Sequence, residues 1–215
     1  TGKPKAIKLQ KEAMVHSASA TGDFFNLKPG DKALHCLSTE YIAGKMMLVR
    51  AIVLGLELDF IQPRSQLIFN DNKDYDFCAL VPLQLDQTKA LCNNIKTIIV
   101  GGAPVPDSLI AAIQNVNSNV YETYGMTETI THVALMPLNK AAGYFEGHNV
   151  FTALPGIRFS VDQRQCLQIN APRISFKEVA TNDIVELISS KSFKWVARID
   201  HVVNSGGVKL IPELI

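Results

Sequence analysis

The apolar positions fall into two rhythms. In the first, short apolar runs alternate with longer stretches at helical spacing. Met14, Ala18 and Phe25 predict a helix over Lys11 to Phe25, behind a loop and a short strand, Ala6 to Leu9. A turn at Leu27-Lys28-Pro29-Gly30-Asp31 leads into a strand, Lys32 to Leu37. Glu40 to Leu56 is apolar on most faces, the pattern of a buried helix. Short strands follow at Asp59 to Ile61, Leu67 to Phe69 and Phe77 to Val81, then a helix from Pro82 to Asn93. Thr97 to Val100 is β-branched and continuous, which suits a central parallel strand covered on both faces. Leu109, Ala112, Ile113 and Val116 mark one face of another helix. The second rhythm starts after about residue 150 and has period two: Ile157/Phe159/Val161, Leu167/Ile169, Val185/Leu187 and Phe193/Trp195/Ala197/Ile199.

Strands alternating with helices predict an α/β fold, a mostly parallel sheet flanked by helices. The alternating segments predict a smaller antiparallel β-subdomain after it. The expected units are 1–150 for the α/β part, 151–199 for the β-subdomain and 200–215 for a terminal segment.

Composition narrows the classes. The chain has 215 residues, 47% hydrophobic and 19% charged, enough for a sizeable core and unlike a disordered chain. A net charge of +1 gives no footprint for nucleic acid or an anionic membrane. Cys36, Cys78, Cys92 and Cys166 form no CxxC pair and sit among apolar neighbours, as buried thiols in a reducing, cytoplasmic setting. The longest apolar run, Met46 to Leu56, is broken by Arg50 and is too short to span a bilayer. No signal-peptide pattern opens the sequence. Thr1-Gly2-Lys3-Pro4-Lys5 reads as the tail of a loop, and Ile211 to Ile215 stops short of a further element, so a piece of a longer protein is expected.

Four stretches carry chemistry. Tyr121-Glu122-Thr123-Tyr124-Gly125-Met126-Thr127-Glu128-Thr129 puts hydroxyls and a carboxylate just past a glycine bend, suited to phosphate and magnesium, with Tyr124 as a flat face for a base. The same residues also suit a capped turn. Thr1 to Lys5 is a Gly/Lys loop of the kind that wraps phosphates, or a basic turn. Gly101-Gly102-Ala103-Pro104 follows a predicted parallel strand, where open α/β sheets bind ligands. Asp183, after Thr181-Asn182, suits the paired hydroxyls of a ribose, and Arg198 can donate to the same sugar.

Taken in order, these stretches resemble the adenylate-forming superfamily of acyl-CoA synthetases, luciferases and peptide-synthetase adenylation domains. Tyr-Gly-Met-Thr-Glu-Thr at 124–129 is close to its most diagnostic motif. Thr181-Asn182-Asp183 is similar to its Thr-Gly-Asp, and Ala197-Arg198-Ile199-Asp200 to its Gly-Arg-x-Asp hinge. Ser205-Gly206-Gly207-Val208-Lys209 and Pro212-Glu213 extend the likeness.

The resemblance implies a reaction in two halves. A small carboxylic acid is activated by ATP and Mg²⁺ to an acyl-adenylate, and coenzyme A then displaces AMP. It implies that Thr127 contacts phosphate and that Glu128 holds the metal. Lys3 and Lys5 act over the outer phosphates. Gly101 to Pro104 lie against adenine, as do Tyr124, Gly125 and Met126. Asp183 and Arg198 lie at the ribose. Asp200 becomes the hinge of a C-terminal lid, with Gly206 and Gly207 on the thiol's path.

The compact spacing, with the Leu34-His35-Cys36 and Leu48-Val49-Arg50 stretches, looks most like the o-succinylbenzoate–CoA ligases of menaquinone biosynthesis. His35, Arg50 and His132 are then the candidates for a second carboxylate. Asn182 and Ala197 stand where the family has glycines, and the lid with its adenylating lysine has no match here. Two alternatives therefore stay open, an adenylation domain that loads a carrier protein and a non-catalytic nucleotide-binding relative.

Overall fold

The structure, a computed structural model, describes residues 7–68, 73–145, 147, 149–175, 177–201, 203–205 and 208–210. The Thr1–Lys5 loop with Lys3 and Lys5, Phe69, Gly206, Gly207, Pro212 and Glu213 lie outside the described residues.

Helix α1 spans Lys11–Phe25, with the predicted bounds. It closes on Asn26 in the left-handed conformation, whose N–H returns to the Gly22 carbonyl. Strand β1 (Lys32–His35) leads to α2 (Ile42–Leu54) and β2 (Glu57–Phe60). Then come β3 (Tyr75–Leu80), α3 (Pro82–Thr88), β4 (Ile95–Val100), α4 (Asp107–Ala112) and β5 (Asn119–Gly125). The remaining strands are β6 (His132–Pro137), β7 (Val150–Ala153), β8 (Arg158–Val161), β9 (Cys166–Asn170), β10 (Val179–Ser189) and β11 (Ser192–Arg198), with a small pair β12 (Val203–Ser205) and β13 (Val208–Leu210).

Eleven strands form one sheet in the order β2-β1-β3-β4-β5-β6-β7-β11-β10-β9-β8. The ladders from β2 to β5 are parallel. From the β5/β6 pair onward every ladder is antiparallel. The predicted fold class is thus the observed one. The apolar residues of β3 and β4, with Phe77, Ile98 and Val100 fully buried, form the centre of the core.

Several local expectations change. Leu67 and Ile68 are irregular rather than part of a strand, and α4 ends at Ala112, short of Ile113 and Val116. Residues 7–10 are irregular rather than a strand. The helix from Pro82 keeps α geometry only to Thr88 and tightens into a 3-10 segment, Lys89–Asn94. The helix from Glu40 starts later, and α2 buries only Gly44, Met46, Met47 and Arg50, while Ile52 is 82% exposed. An apolar stretch without a polar stripe does not say which face meets the sheet.

Candidate functional site

The site is built at the carboxyl ends of β3, β4 and β5. Gly101 follows β4, and its N–H donates to the Leu80 carbonyl at the end of β3 (3.1 Å). A Cβ on Gly101 would lie 2.1 Å from Thr123 Oγ1. Only glycine lets the loop run this close to β5, and it leaves Gly102, Ala103 and Pro104 open at the surface.

β5 carries Tyr124 and ends at Gly125, where a Cβ would be 2.2 Å from the Thr131 carbonyl. The chain doubles back through a 3-10 turn, Thr127–Thr129. Thr129 is buried, and its hydroxyl accepts from the Met126 N–H (3.0 Å), so it secures the turn from inside. Glu128 is exposed, and Thr127 is half-buried on the wall of a cavity. Ile130 then adopts φ 66°, ψ −62°, and the Thr131 N–H bonds the Thr129 carbonyl at 2.7 Å. This is a γ-turn on a β-branched residue, a strained geometry held by the burial of Ile130.

Two cavities flank this turn. The smaller, about 270 Å³, lies between α2 and the strand ends and is lined by Leu37, Arg50, Gly101, Thr127, Ile130 and His132 among others. The larger, about 670 Å³, is lined by Gly102, Ala103, Pro104, Glu122, Tyr124, Phe151, Trp195 and Arg198 among others. They share Gly102, Thr123 and Gly125. A molecule in one therefore meets a molecule in the other at the glycine loop.

The smaller cavity holds a buried cation. Arg50 is 1% exposed. Its Nε donates to Thr21 Oγ1 (3.4 Å) and its NH2 to Thr131 Oγ1 (3.2 Å), with His132 Nδ1 at 3.4 Å and Met47 Sδ 3.7 Å from NH1. Burial draws the guanidinium down to about 10, which leaves it charged at neutral pH. Burial, and then Arg50 itself, hold His132 far below the usual imidazole range, so it is neutral. A charged group among neutral partners is poised for an anion.

In the larger cavity, the Tyr124 ring packs on Phe193 (5.1 Å) and Phe151 (5.7 Å). Its hydroxyl donates to Asp183 Oδ2 at 2.5 Å. Asp183 on β10 pairs across the ladder with Arg198 on β11, whose NH1 is 3.6 Å from Oδ1. Arg198 also reaches Asp200 (2.9 Å), and Asn182 Nδ2 donates to both Asp200 oxygens (3.1 and 3.3 Å). Asp183 sits behind Tyr124 and Arg198 rather than on the cavity wall.

The structure brings Gly101 to Pro104, Tyr124, Gly125, Met126, Thr127, Arg50, His132 and Arg198 to the two cavities. It does not bring His35 there. His35 is buried against Phe60 (ring centroids 5.4 Å) and burial lowers its pKa, so it is a core imidazole. Glu128 is an exposed carboxylate beside Thr127, which suits a magnesium ion shared with phosphate oxygens. No cluster of three or more His, Cys, Asp or Glu able to hold a metal by itself occurs among the described residues.

Three residues in or beside these walls carry no role in the sequence reading: Glu122 and Trp195 on the larger cavity, and Thr21 behind Arg50. Glu122 lines the larger cavity, accepts from the Val105 N–H (3.4 Å) and is pushed up to about 7 by burial. A carboxylate inside a strand next to the motif is its only sequence signal. Trp195 is the chain's one tryptophan, three residues before Arg198. Thr21 lies on α1, remote in sequence from every motif, and nothing in its neighbourhood flags it.

A family model described as "AMP-binding enzyme" matches residues 1–162. The 2-succinylbenzoate–CoA ligase of Bacillus cytotoxicus is 30% identical over 152 residues, covering 63% of this chain and 30% of that protein. An acyl-CoA synthetase (AMP-forming)/AMP-acid ligase II-like protein from Dyadobacter fermentans has a solved structure with TM-score 0.83 and 40% identity, over 98% of this chain and 61% of that one. The O-succinylbenzoate coenzyme A synthetase of Bacillus subtilis, solved with ATP and magnesium, has TM-score 0.81 at 18% identity, over 99% of this chain and 51% of that one. The chain spans about 30% of the length of the curated relatives it matches. No described helix is long and apolar enough to cross a membrane.

Proposed function

The chain belongs to the AMP-binding enzyme family, and we propose that it is the core of an ATP-dependent acid–CoA ligase acting on a dicarboxylic aromatic acid, o-succinylbenzoate. The observation that carries this reading is the meeting of the two cavities at Gly102, Thr123 and Gly125. The larger takes the adenylate and the smaller takes the acid. Their shared wall is where a carboxylate oxygen bonds the α-phosphorus as the bond to pyrophosphate breaks. In the second half-reaction the CoA sulfur bonds the acyl carbon, and AMP leaves.

The chain's residues bind and orient. Adenine lies between Tyr124 and the Gly102-Ala103-Pro104 loop. Arg198 serves the ribose hydroxyls, and Asp183, the ribose carboxylate of the sequence reading, holds Tyr124 and Arg198 from behind and reaches the sugar only if that bond to Tyr124 opens. Thr127 donates to a phosphate oxygen, where fixed donors act on developing charge. Glu128 would hold the magnesium that ATP brings, which supplies neutralisation of phosphate charge. Arg50, beside neutral His132, takes the acid's second carboxylate. The Bacillus ligases act on the same acid by name, which supports the choice.

The test is acid-dependent ATP–pyrophosphate exchange in the intact protein, followed by thioester formation with CoA. Exchange with o-succinylbenzoate, lost in Glu128→Ala, supports both the reaction and the metal role. Transfer only to a phosphopantetheinyl carrier protein would replace CoA as the acceptor. An intact protein that binds AMP but exchanges no pyrophosphate with any acid would leave the non-catalytic relative as the reading.

A further inference from the structure

Around Arg50 the hydrogen bonds close a ring whose accounting is complete. Thr21 is fully buried and has one hydroxyl proton and two lone pairs. The proton goes to the Ser17 carbonyl, 3.0 Å away on the same helix. The lone pairs face Arg50 Nε and His132 Nε2, each at 3.4 Å. Thr131 Oγ1 accepts from Arg50 NH2 and donates to His132 Nδ1 at 3.0 Å. Nδ1 is thus an acceptor, which assigns the Nε2–H tautomer and makes Nε2 a donor to Thr21. Every polar atom of Thr21 is used.

The ring fixes the guanidinium on its Nε and NH2 edges. Among the described residues NH1 has only the Met47 thioether, a weak acceptor, at 3.7 Å. We infer that Thr21 is a positioning residue for acid recognition: it anchors Arg50 and His132 together and so aims Arg50 NH1 at the second carboxylate of a dicarboxylic acid. The inference rests on the ligase reading above and adds to it a residue from α1 that touches neither substrate. A recognition group is only as selective as the shell that locks its rotamer. Thr21 provides that lock because one hydroxyl satisfies two buried donors from different elements.

The experiment compares two acids in the intact protein by ATP–pyrophosphate exchange. o-Succinylbenzoate carries the ring carboxylate, and 4-oxo-4-phenylbutanoate is the same acid without it. Thr21→Val keeps the shape and removes both acceptor lone pairs. It should raise KM for o-succinylbenzoate by about tenfold or more, the scale of one misdirected bond to a charged group. The KM for 4-oxo-4-phenylbutanoate and both kcat values should stay within about twofold of wild type, since NH1 has no partner on that acid. Thr21→Ser, which keeps the hydroxyl, should restore the preference. Nitrogen-15 spectra of histidine-labelled protein give a readout independent of turnover. His132 should show the Nε2–H tautomer in all three proteins, because Thr131 and Arg50 still donate to Nδ1, while the Nε2–H signal should shift in Thr21→Val, where its acceptor is gone, and stay at the wild-type position in Thr21→Ser. An equal KM rise for both acids, or an unchanged preference in Thr21→Val, overturns the inference while leaving the ligase reading intact. Wild-type protein that exchanges with neither acid overturns the reading and the inference with it.

Discussion

The Tyr124 hydroxyl donates to Asp183 across 59 positions of sequence, at 2.5 Å. The bond ties the end of the last parallel strand to the longest antiparallel one. It also makes the Tyr124 ring and the carboxylate behind it one unit. Burial first, and then the Asp183 charge, push the Tyr124 phenol well above its ordinary range. The proton therefore stays on the tyrosine, and the direction of the bond is fixed.

Tyr124→Phe keeps the ring on Phe151 and Phe193 and removes this bond. It should lower unfolding free energy by about 1–3 kcal/mol, the scale of a buried bond to a charged acceptor. AMP affinity should fall less than in Tyr124→Ala, which loses the stacking face as well. Denaturant titration and calorimetry read both quantities. A Tyr124→Phe protein as stable as wild type would show that the bond carries no net weight.

Glu122 predicts a slope of stability with pH. Its carboxyl titrates at about 7 in the folded chain because burial disfavours the charge. A raised folded value means stability that is present at acid pH and is lost as pH rises from the ordinary carboxylate range through about 7. The loss should total on the order of 3 kcal/mol before it levels. Glu122→Gln should flatten that slope and be more stable than wild type at pH 8. Melting temperatures from pH 5 to 8 test this, and parallel curves for the two proteins would count against it.

Arg50→Met replaces a buried charge that has neutral partners with an apolar chain of similar length. Unfolding free energy should rise or hold, within about 0–2 kcal/mol, because no desolvated cation remains. Affinity for the o-succinylbenzoyl adenylate should drop by about a hundredfold, as when one member of a buried charge pair is removed. Thermal melts and calorimetry with that adenylate decide. A variant that binds the adenylate as wild type does would show that the acid's second carboxylate lies elsewhere.

The Gly101 approach predicts a specific rescue. Gly101→Ala sets a Cβ against Thr123 Oγ1 and should cost about 1–3 kcal/mol. Thr123→Ala removes the obstructing hydroxyl, so the double variant should regain most of the loss. A double-mutant cycle by denaturant titration measures the coupling. Strict additivity would mean that the loop, not Thr123, resists the new methyl.

The hydrophobic pattern was most legible where one face of an element is buried and the other is wet. Helix α1 has such a pattern, and its predicted bounds hold. The central strands β3 and β4 were visible as continuous apolar runs. β6, His132 to Pro137, is buried along most of its length and ends in proline, so no alternation marks it as a strand. Helix α2 is apolar on most faces, and its buried stripe became visible only once α1 and the sheet were in place. Within the site, contiguous motifs such as Gly101 to Pro104 and Tyr124 to Thr127 were readable because their spacing is local. Arg50 and His132 needed the fold to bring them 3.4 Å apart across 82 positions. His35 shows the converse, since a histidine beside an apolar run is as easily a core residue as a ligand.

In the proposed ligase the hairpin from Tyr124 to His132 serves both substrates, with Thr127 and Glu128 toward the phosphates and Thr131 and His132 toward the acid, joined through the strained Ile130. A change on that hairpin alters nucleotide and acid together. Thr21 and Arg50 come from α1 and α2, and none of the described residues of those helices lines the larger cavity. On the proposed reading, the helical wall is the part of the molecule on which acid preference can drift, over evolutionary time or by design, while the nucleotide side stays as it is.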